Sequence, residues 1–359
     1  MDSNSEIMAY IKERAGSVDR DINSYLTDKT SVRNLEYILG RSGYKYDSSA
    51  LEKSIVEPAK YILGLGGKRW RPVLMLAVID ALGRDSSNFT EFSIIPEIIH
   101  NATLIHDDLE DNSEMRRGSP AVHVKYGTDI AINLGDFMFY FPVVAMMDSQ
   151  KLTKETKARL IDVYEREMLR VTLGQATDIA WHKSLVDPLK VTESEYMQMA
   201  YSKTGVLANM SAKLGGILGG ADDDTVNKLG AFGASIGVAF QLQDDLLNIT
   251  DSGVATSKGG SGEDITEGKI TLMVVHTLAN ANENDKMRLT GILKMHTTDR
   301  KLIDEAISII FKYKSEEYVK ELETRIVREA WRGIDGILKE SDAKRKLKEL
   351  AEFLINRSL

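Results

Sequence analysis

The sequence predicts an all-α fold, organised as a single domain over residues 1–359. Proline is scarce, and none of the 6 prolines follows Pro188. The long proline-free half is rich in Leu, Ala, Lys and Glu, which favour helices. No alternation of apolar and polar residues is long enough to indicate a sheet. No repeat or linker suggests a domain boundary, so one helical bundle is the predicted architecture.

Helix boundaries can be read at several places. Residues 1–50 are expected to form peripheral helices, and Ile130 to Met147 predicts an apolar helix. Thr192 starts a capping box ahead of Tyr196 to Ser202. Thr298-Asp299 is expected to cap a helix that begins near Arg300.

Composition restricts the possible partners and sites. The net charge of −8, without a dominant basic patch, argues against nucleic acid as the main partner. The chain has no cysteine, so a metal would take oxygen or nitrogen ligands. Met1 to Glu6 lack a signal-peptide core, and no uncharged apolar run reaches the length of a membrane span. We therefore expect a cytoplasmic protein without a transmembrane segment.

An acidic cluster directly follows the mostly apolar run from Ile94 to Ile105. In a helix, Asp107 and Asp111 would lie one turn apart on the same face, where like charges repel. A bound cation would relieve this repulsion, and Mg²⁺ is often held by one or two carboxylates plus substrate phosphates. Taken alone, the cluster is equally consistent with a solvated acidic helix end.

A second cluster repeats this spacing, with Asp244 and Asn248 four residues apart and Asp245 adjacent. Two such clusters on apolar helices are far more specific than one. Their recurrence favours metal binding over two solvated helix ends.

Basic residues flank both clusters. Gly66-Gly67 precedes Lys68 and Arg71 at a turn into a helix, where backbone N–H groups and side-chain charge attract anions. Arg116 and Arg117 supply forked donors suited to phosphate. Three further cations accompany the second cluster: Lys203, Lys258 and Lys269.

Other polar residues lie beside these clusters. His100 is seven residues before Asp107 and therefore shares its helical face. Gln175 and Asp178 lie in an otherwise apolar helix, and buried polar side chains need partners. We expect this pair to lie at a wet cavity.

The two clusters with their cations predict a chemistry. Carboxylates facing each other across a bundle could hold several Mg²⁺ ions, which would make a diphosphate a good leaving group. Departure from an allylic carbon yields a carbocation, which requires a dry apolar cavity. Two separate cationic groups indicate two diphosphates, and thus the joining of two isoprenoid diphosphates.

From about Leu51 to its end the chain resembles the trans-isoprenyl diphosphate synthases, or polyprenyl synthetases, most closely those that make geranylgeranyl diphosphate. The matching motifs are GGKRxRP at Gly66 to Pro72, HxxxxxxDDxxDxxxxRRG from His100 to Gly118, GQxxD at Gly174 to Asp178, KTG at Lys203, FQxxDD at Phe240 and GxDxxxGK ending at Lys269. The resemblance implies antiparallel helices around a deep central cavity, usually in a homodimer.

The resemblance also implies residue roles. Isopentenyl diphosphate would be held by Lys68, Arg71, His100 and Arg117. The allylic diphosphate would be held by Asp107, Asp111, Arg116, Lys203, Thr204, Gln241, Lys258 and Lys269. Mg²⁺ would be held at Asp107, Asp108, Asp111, Asp244, Asp245 and Asn248. Catalysis would depend most on Asp107, Asp111, Lys203, Gln241 and Asp244. The implied reaction is ionisation, attack by the isopentenyl double bond and proton loss.

Asn248 departs from the family pattern, because many members have Asp at this position. An amide keeps an oxygen ligand but removes one charge. We expect a weaker metal contact without loss of activity.

Product length depends on a cavity floor near the first cluster. Ala102 and Thr103 are small where family members with short products tend to have an aromatic residue. Phe139 and Tyr140 on the next helix are expected to supply a lower floor. We predict geranylgeranyl diphosphate, with a longer polyprenyl product as the alternative.

Two other classes of protein share part of this pattern. A class I terpene cyclase has an aspartate-rich cluster, but it would not need the cations of GGKRxRP and KTG for a second diphosphate. A non-catalytic subunit of a heteromeric synthase is disfavoured because both acidic clusters and every basic position are present.

Overall fold

A computed structural model describes residues 3–29, 32–41, 43–250 and 262–355. Nearly all regular structure in these ranges is helical, so the all-α prediction is confirmed. The exception is an antiparallel hairpin of β1 (Met115–Arg116) and β2 (Ser119–Pro120), in which Met115 pairs with Pro120.

In sequence order, helices come both before and after this hairpin. Before the hairpin lie α1 (Ser3–Lys29), α2 (Val32–Leu39), α3 (Ser48–Leu51), α4 (Glu57–Gly64), α5 (Trp70–Ala81) and α6 (Ile94–Glu110). After it come α7 (Val122–Tyr126), α8 (Thr128–Tyr140), α9 (Val143–Asp148), α10 (Lys154–His182), α11 (Glu193–Ala200), α12 (Val206–Leu218) and α13 (Asp223–Thr250). The last are α14 (Glu263–Thr266), α15 (Leu272–Asn280), α16 (Glu283–Lys294), α17 (Arg300–Lys312), α18 (Ser315–Asp335) and α19 (Asp342–Ile355). Short π-helical turns span Glu52–Val56 and Tyr201–Gly205, and 3₁₀ turns span Ser86–Phe92 and Pro188–Lys190.

The chain divides into two compact units, each assembled from several segments. Unit 1 consists of Met1–Tyr164, Ser211–Val226 and Leu338–Glu349. Unit 2 consists of Glu165–Met210, Asn227–Ile337 and Leu350–Leu359. The single domain inferred from the sequence stays a prediction.

The core of unit 1 is built around α5 and α6. Every residue of α5 except Asp80 is buried, which explains why this helix has no polar face. Helix α6 buries its first six residues, Ile94 to Ile99, and packs against α8. The packing of α6 therefore holds its acidic carboxyl end in place.

In unit 2 the sequence of α13 separates two faces. Val238, Leu242 and Leu246 are buried, and all three belong to one hydrophobic cluster. Because a helix turns 100° per residue, this apolar stripe leaves Asp244 and Asn248 on a different face.

Two helix starts agree with the sequence. The Thr192 side chain accepts a hydrogen bond from the Glu195 N–H at 3.3 Å, and the Glu195 carboxylate accepts one from the Thr192 N–H at 2.8 Å. Asp299 caps α17 at Lys301. Both predicted caps are confirmed.

The continuous helix predicted from Ile130 to Met147 is wrong. Helix α8 ends at Tyr140 and α9 begins at Val143. Pro142 causes this break because it lacks an N–H and its ring collides with the preceding helical turn.

The segment Thr128–Asp148 is long and apolar enough to cross a membrane. One such segment among the described residues is weak evidence for a membrane span, because the core helix of a soluble protein passes the same test.

Candidate active site

The first acidic cluster lies at the carboxyl end of α6. Asp107 and Asp111 are both half-buried, and the Asp111 N–H donates to the Asp107 carbonyl at 2.9 Å. The helix dipole places partial negative charge at this end, so carboxylates here raise the free energy of the helix. A bound cation would offset both this effect and the repulsion between the two side chains.

Asp108, between them, has a different environment. It is fully buried, and its Oδ1 accepts from the Arg116 Nε at 2.9 Å and also from the Arg116 Nη2. Burial raises the pKa of the Asp108 carboxyl, and Arg116 opposes that rise. The structure therefore shows Asp108 as the ion-pair partner that ties the hairpin to α6.

The hairpin turn orients Arg117. Arg117 adopts a left-handed backbone conformation at φ 52°, followed by Gly118 at φ 74°. Its guanidinium donates to the Gly66 carbonyl and lies 3.4 Å from the Asn101 Oδ1. Gly67 beside it adopts φ 142°, which L side chains rarely adopt, and a Cβ there would lie 3.1 Å from the Arg117 Nη2.

His100 lies among arginines. Burial lowers the pKa of His100 well below its ordinary value, and four guanidinium groups lower it further: Arg71, Arg117, Arg116 and Arg69. The imidazole is consequently neutral near pH 7. A positive potential of this strength also attracts an anion.

Arg69 has no assigned role from the sequence. It is buried and donates to Glu97 at 2.6 Å and to Asp19 at 2.8 Å. Arg71 is also buried and stacks over the Trp70 ring at 4.5 Å, whereas Lys68 is exposed. Three neighbouring cations thus have three environments, which a basic run in a sequence does not distinguish.

In unit 2, the two aspartates of the second cluster also differ. Asp244 is half-buried, whereas Asp245 is 6% exposed. Asp245 accepts from the Gln241 Nε2 at 2.7 Å and from the Tyr196 hydroxyl at 2.9 Å. Burial, together with the charge of Asp264, raises the pKa of Asp245.

Asn248 contacts the segment that follows the second cluster. Its Oδ1 accepts from the Asp264 N–H at 3.3 Å, and its carbonyl accepts from the Gly262 N–H at 2.9 Å. The amide oxygen considered as a metal ligand therefore also holds the start of α14.

Lys203 lies in the π-helical turn Tyr201–Gly205, a kind of distortion frequent at functional sites. Its ammonium pairs with Asp178 of α10 at 2.5 Å. A Cβ at Gly174 would lie 2.5 Å from the Ser202 carbonyl carbon, so this glycine allows α10 to approach the turn. Asp178, a polar residue without an assigned partner from sequence, is the counter-ion of Lys203.

The sequence also predicts Lys269 and Lys258 beside the second cluster. Lys269 pairs with Glu267 and lies 4.0 Å from Asp264. Lys258 lies outside the described residues.

The acidic clusters restrict how a metal could bind. Within the described ranges, no three His, Asp or Glu side chains converge closely enough to hold a metal ion. This geometry does not fit a site built entirely from protein ligands. One or two carboxylates would suit a hard divalent cation whose other ligands come from a bound anion and water.

The residues predicted to form the cavity floor differ in their environments. Phe139 stacks on His106 with ring centroids 5.1 Å apart, and Ala102 is fully buried on the same helix as His106. Thr103 donates to the His100 carbonyl at 2.8 Å. Tyr140 is 75% exposed and lies on a different face of α8 from Phe139. The roles of these residues in a cavity floor stay predictions.

Comparisons with known proteins agree with one another. The polyprenyl synthetase family model matches residues 52–310. A short chain isoprenyl diphosphate synthase of Methanothermobacter thermautotrophicus is 36% identical over 312 residues, which cover 86% of this chain and 92% of the relative. A geranylgeranyl diphosphate synthase of Saccharolobus solfataricus is 34% identical over 307 residues, covering 85% and 91%. The crystal structure of geranylgeranyl pyrophosphate synthetase from Pyrococcus horikoshii aligns with a TM-score of 0.83 at 33% identity, over 99% of each chain.

Proposed function

We propose that this chain, a trans-prenyltransferase that belongs to the polyprenyl synthetase family, makes geranylgeranyl diphosphate in a Mg²⁺-dependent reaction. The substrates would be isopentenyl diphosphate and an allylic diphosphate: dimethylallyl, geranyl or farnesyl diphosphate. The observation that carries the proposal is the grouping of His100 with four arginines, whose charges lower its pKa, on the helix that leads into Asp107 and Asp111. A doubly anionic group matches that potential.

Within unit 1, the proposal assigns isopentenyl diphosphate to Lys68, Arg71, His100 and Arg117. A neutral imidazole donates one hydrogen bond without adding charge, while the guanidinium groups supply the charge. Asp107 and Asp111 would hold Mg²⁺, which stabilises the charge that builds on a departing diphosphate.

Within unit 2, the proposal assigns the allylic substrate to Lys203, Thr204, Gln241 and Lys269, and a metal to Asp244. The allylic C–O bond would break, the isopentenyl double bond would form the new C–C bond, and a proton would leave to the released diphosphate. In unit 1, Arg116 of the hairpin pairs with Asp108 of α6.

A longer polyprenyl product is the second candidate. The exposure of Tyr140 supports it, since an exposed side chain would contribute little to a cavity floor. Phe139 is the other predicted floor residue. Its ring stacks on His106, the residue before Asp107, and this contact favours the shorter product.

The test uses the purified full-length chain with isotope-labelled isopentenyl diphosphate, farnesyl diphosphate and Mg²⁺. Label should enter a new allylic product, and EDTA should abolish that incorporation. A terpene cyclase would consume the allylic substrate without incorporating label. A non-catalytic subunit would show no turnover of either substrate.

A further inference from the structure

We infer that Asp245 is a positioning residue that sets the orientation of the Gln241 amide, and that it is not a metal ligand. The inference rests on the proposed function, which assigns Gln241 to the allylic substrate. It separates Asp245 from its neighbour Asp244, to which the sequence gives the same role.

Both oxygens of Asp245 are engaged inside unit 2. Oδ1 accepts from the Gln241 Nε2 at 2.7 Å, and Oδ2 accepts from the Tyr196 hydroxyl at 2.9 Å. Tyr196 is 1% exposed and belongs to the hydrophobic cluster of unit 2, so its hydroxyl approaches from the core side. A metal with a hydrated shell would have to displace these donors from a carboxylate that is 6% exposed.

The hydrogen bonds fix one of the two amide orientations of Gln241. The Asp245 Oδ1 accepts from the NH₂ end of the Gln241 amide. The Gln241 Oε1 is thereby directed to Thr204, whose hydroxyl donates to it at 2.7 Å. Asp245 thus aligns two residues that the proposed function places at the substrate.

A matched variant pair separates positioning from metal binding. Asp245→Asn leaves one acceptor oxygen for two donors, Tyr196 and Gln241, so the hold on the Gln241 amide should weaken. We expect kcat to fall by about tenfold or more, as for other supporting residues around a site. The Mg²⁺ concentration for half-maximal rate should stay within about twofold of wild type, as should the Mg²⁺ affinity that isothermal titration calorimetry measures in the presence of inorganic diphosphate. The control Asp244→Asn should raise that Mg²⁺ concentration by about tenfold or more.

Tyr196→Phe tests the same network from the core side and covers the case in which Asp245→Asn does not fold. It should lower kcat without changing the Mg²⁺ requirement. Its effect should not add to that of Asp245→Asn, because both variants disturb one network. Additive losses would contradict the inference, as would an Asp245→Asn variant that matches Asp244→Asn in its Mg²⁺ requirement. Failure of the wild-type chain to incorporate isopentenyl diphosphate would instead refute the proposed function.

Discussion

At the scale of single residues, His100 shows how the environment of a side chain determines its chemistry. Its spacing from Asp107 is readable in the sequence because the helical repeat is fixed. Its neutral state depends on burial and on arginines from α5 and the hairpin as well as Arg69. Those contacts are tertiary, and no local pattern specifies them.

The lowered pKa of His100 predicts a pH-dependent stability. In the unfolded chain His100 takes up a proton near its ordinary pKa of 6.5, whereas the native imidazole stays neutral to lower pH. The unfolded state then binds more protons, so the free energy of unfolding should fall as pH decreases below 6.5. The slope is at most about 1.4 kcal/mol per pH unit for one proton.

Urea denaturation of wild type and His100→Gln between about pH 7.5 and 5 measures this contribution, because the other titrating groups are common to both proteins. The variant should lose less stability on acidification. Parallel pH curves for the two proteins would contradict the assignment of a neutral His100.

The dependence on tertiary contacts also explains why the sequence did not distinguish other pairs of residues. Asp107 and Asp108 look equivalent in the motif. In the structure Asp107 is half-buried, whereas Asp108 is buried and pairs with Arg116. Tyr196 gives no signal in the sequence because a buried aromatic residue usually serves only the core. The rotation of a helix against its neighbours determines which of two adjacent carboxylates is buried. In α13 the apolar stripe is the feature of the sequence that indicates this rotation.

At the scale of elements, close packing around the π-helical turn Tyr201–Gly205 gives the second prediction. A Cβ at Gly174 would meet backbone atoms of Ser202 and Lys203, which cannot move aside as a flexible side chain can. Gly174→Ala should destabilise the chain by about 1–3 kcal/mol through overpacking. It should also raise the KM of the allylic substrate, because Lys203 would shift.

Gly291→Ala is the matched control, since Gly291 lies in α16 of the same unit and nothing would lie within 4 Å of its Cβ. It should stabilise the chain by about 0.5–1 kcal/mol through helix propensity alone. Urea denaturation measures both variants. Equal effects of the two substitutions would refute the packing role of Gly174.

The contact between α6 and α8 gives a prediction about product length. Phe139→Ala removes the ring stacked on His106 and should shift products toward longer chains. Tyr140→Ala, on the exposed side of α8, is its control and should leave the product distribution unchanged. Chromatography of the dephosphorylated products decides the matter, and a shift caused by Tyr140→Ala but not Phe139→Ala would reverse the assignment.

Most elements themselves were predictable from local chemistry. The capping box at Thr192 and the cap at Asp299 each involve only neighbouring residues, so sequence sufficed. The break between α8 and α9 is also local, at Pro142, but the strongly apolar run around it favours one continuous helix. The hairpin at Met115 was not predictable, because two-residue strands are too short to show alternation.

At the scale of the whole molecule, we propose a homodimer on the basis of the family resemblance, and a cytoplasmic location on the basis of the sequence features given above. Light scattering after size-exclusion chromatography should give twice the chain mass of 40.0 kDa. A mass of one chain at the protein concentration used in the activity assay would contradict this proposal.

The central claim is that the chain joins isopentenyl diphosphate to an allylic diphosphate and stops at the geranylgeranyl product. Mass spectrometry of the dephosphorylated product, formed from farnesyl diphosphate, labelled isopentenyl diphosphate and Mg²⁺, tests it directly. We expect one dominant C20 alcohol that carries a single label. A dominant product of C25 or longer would contradict the chain length, and an unlabelled hydrocarbon would contradict the condensation itself.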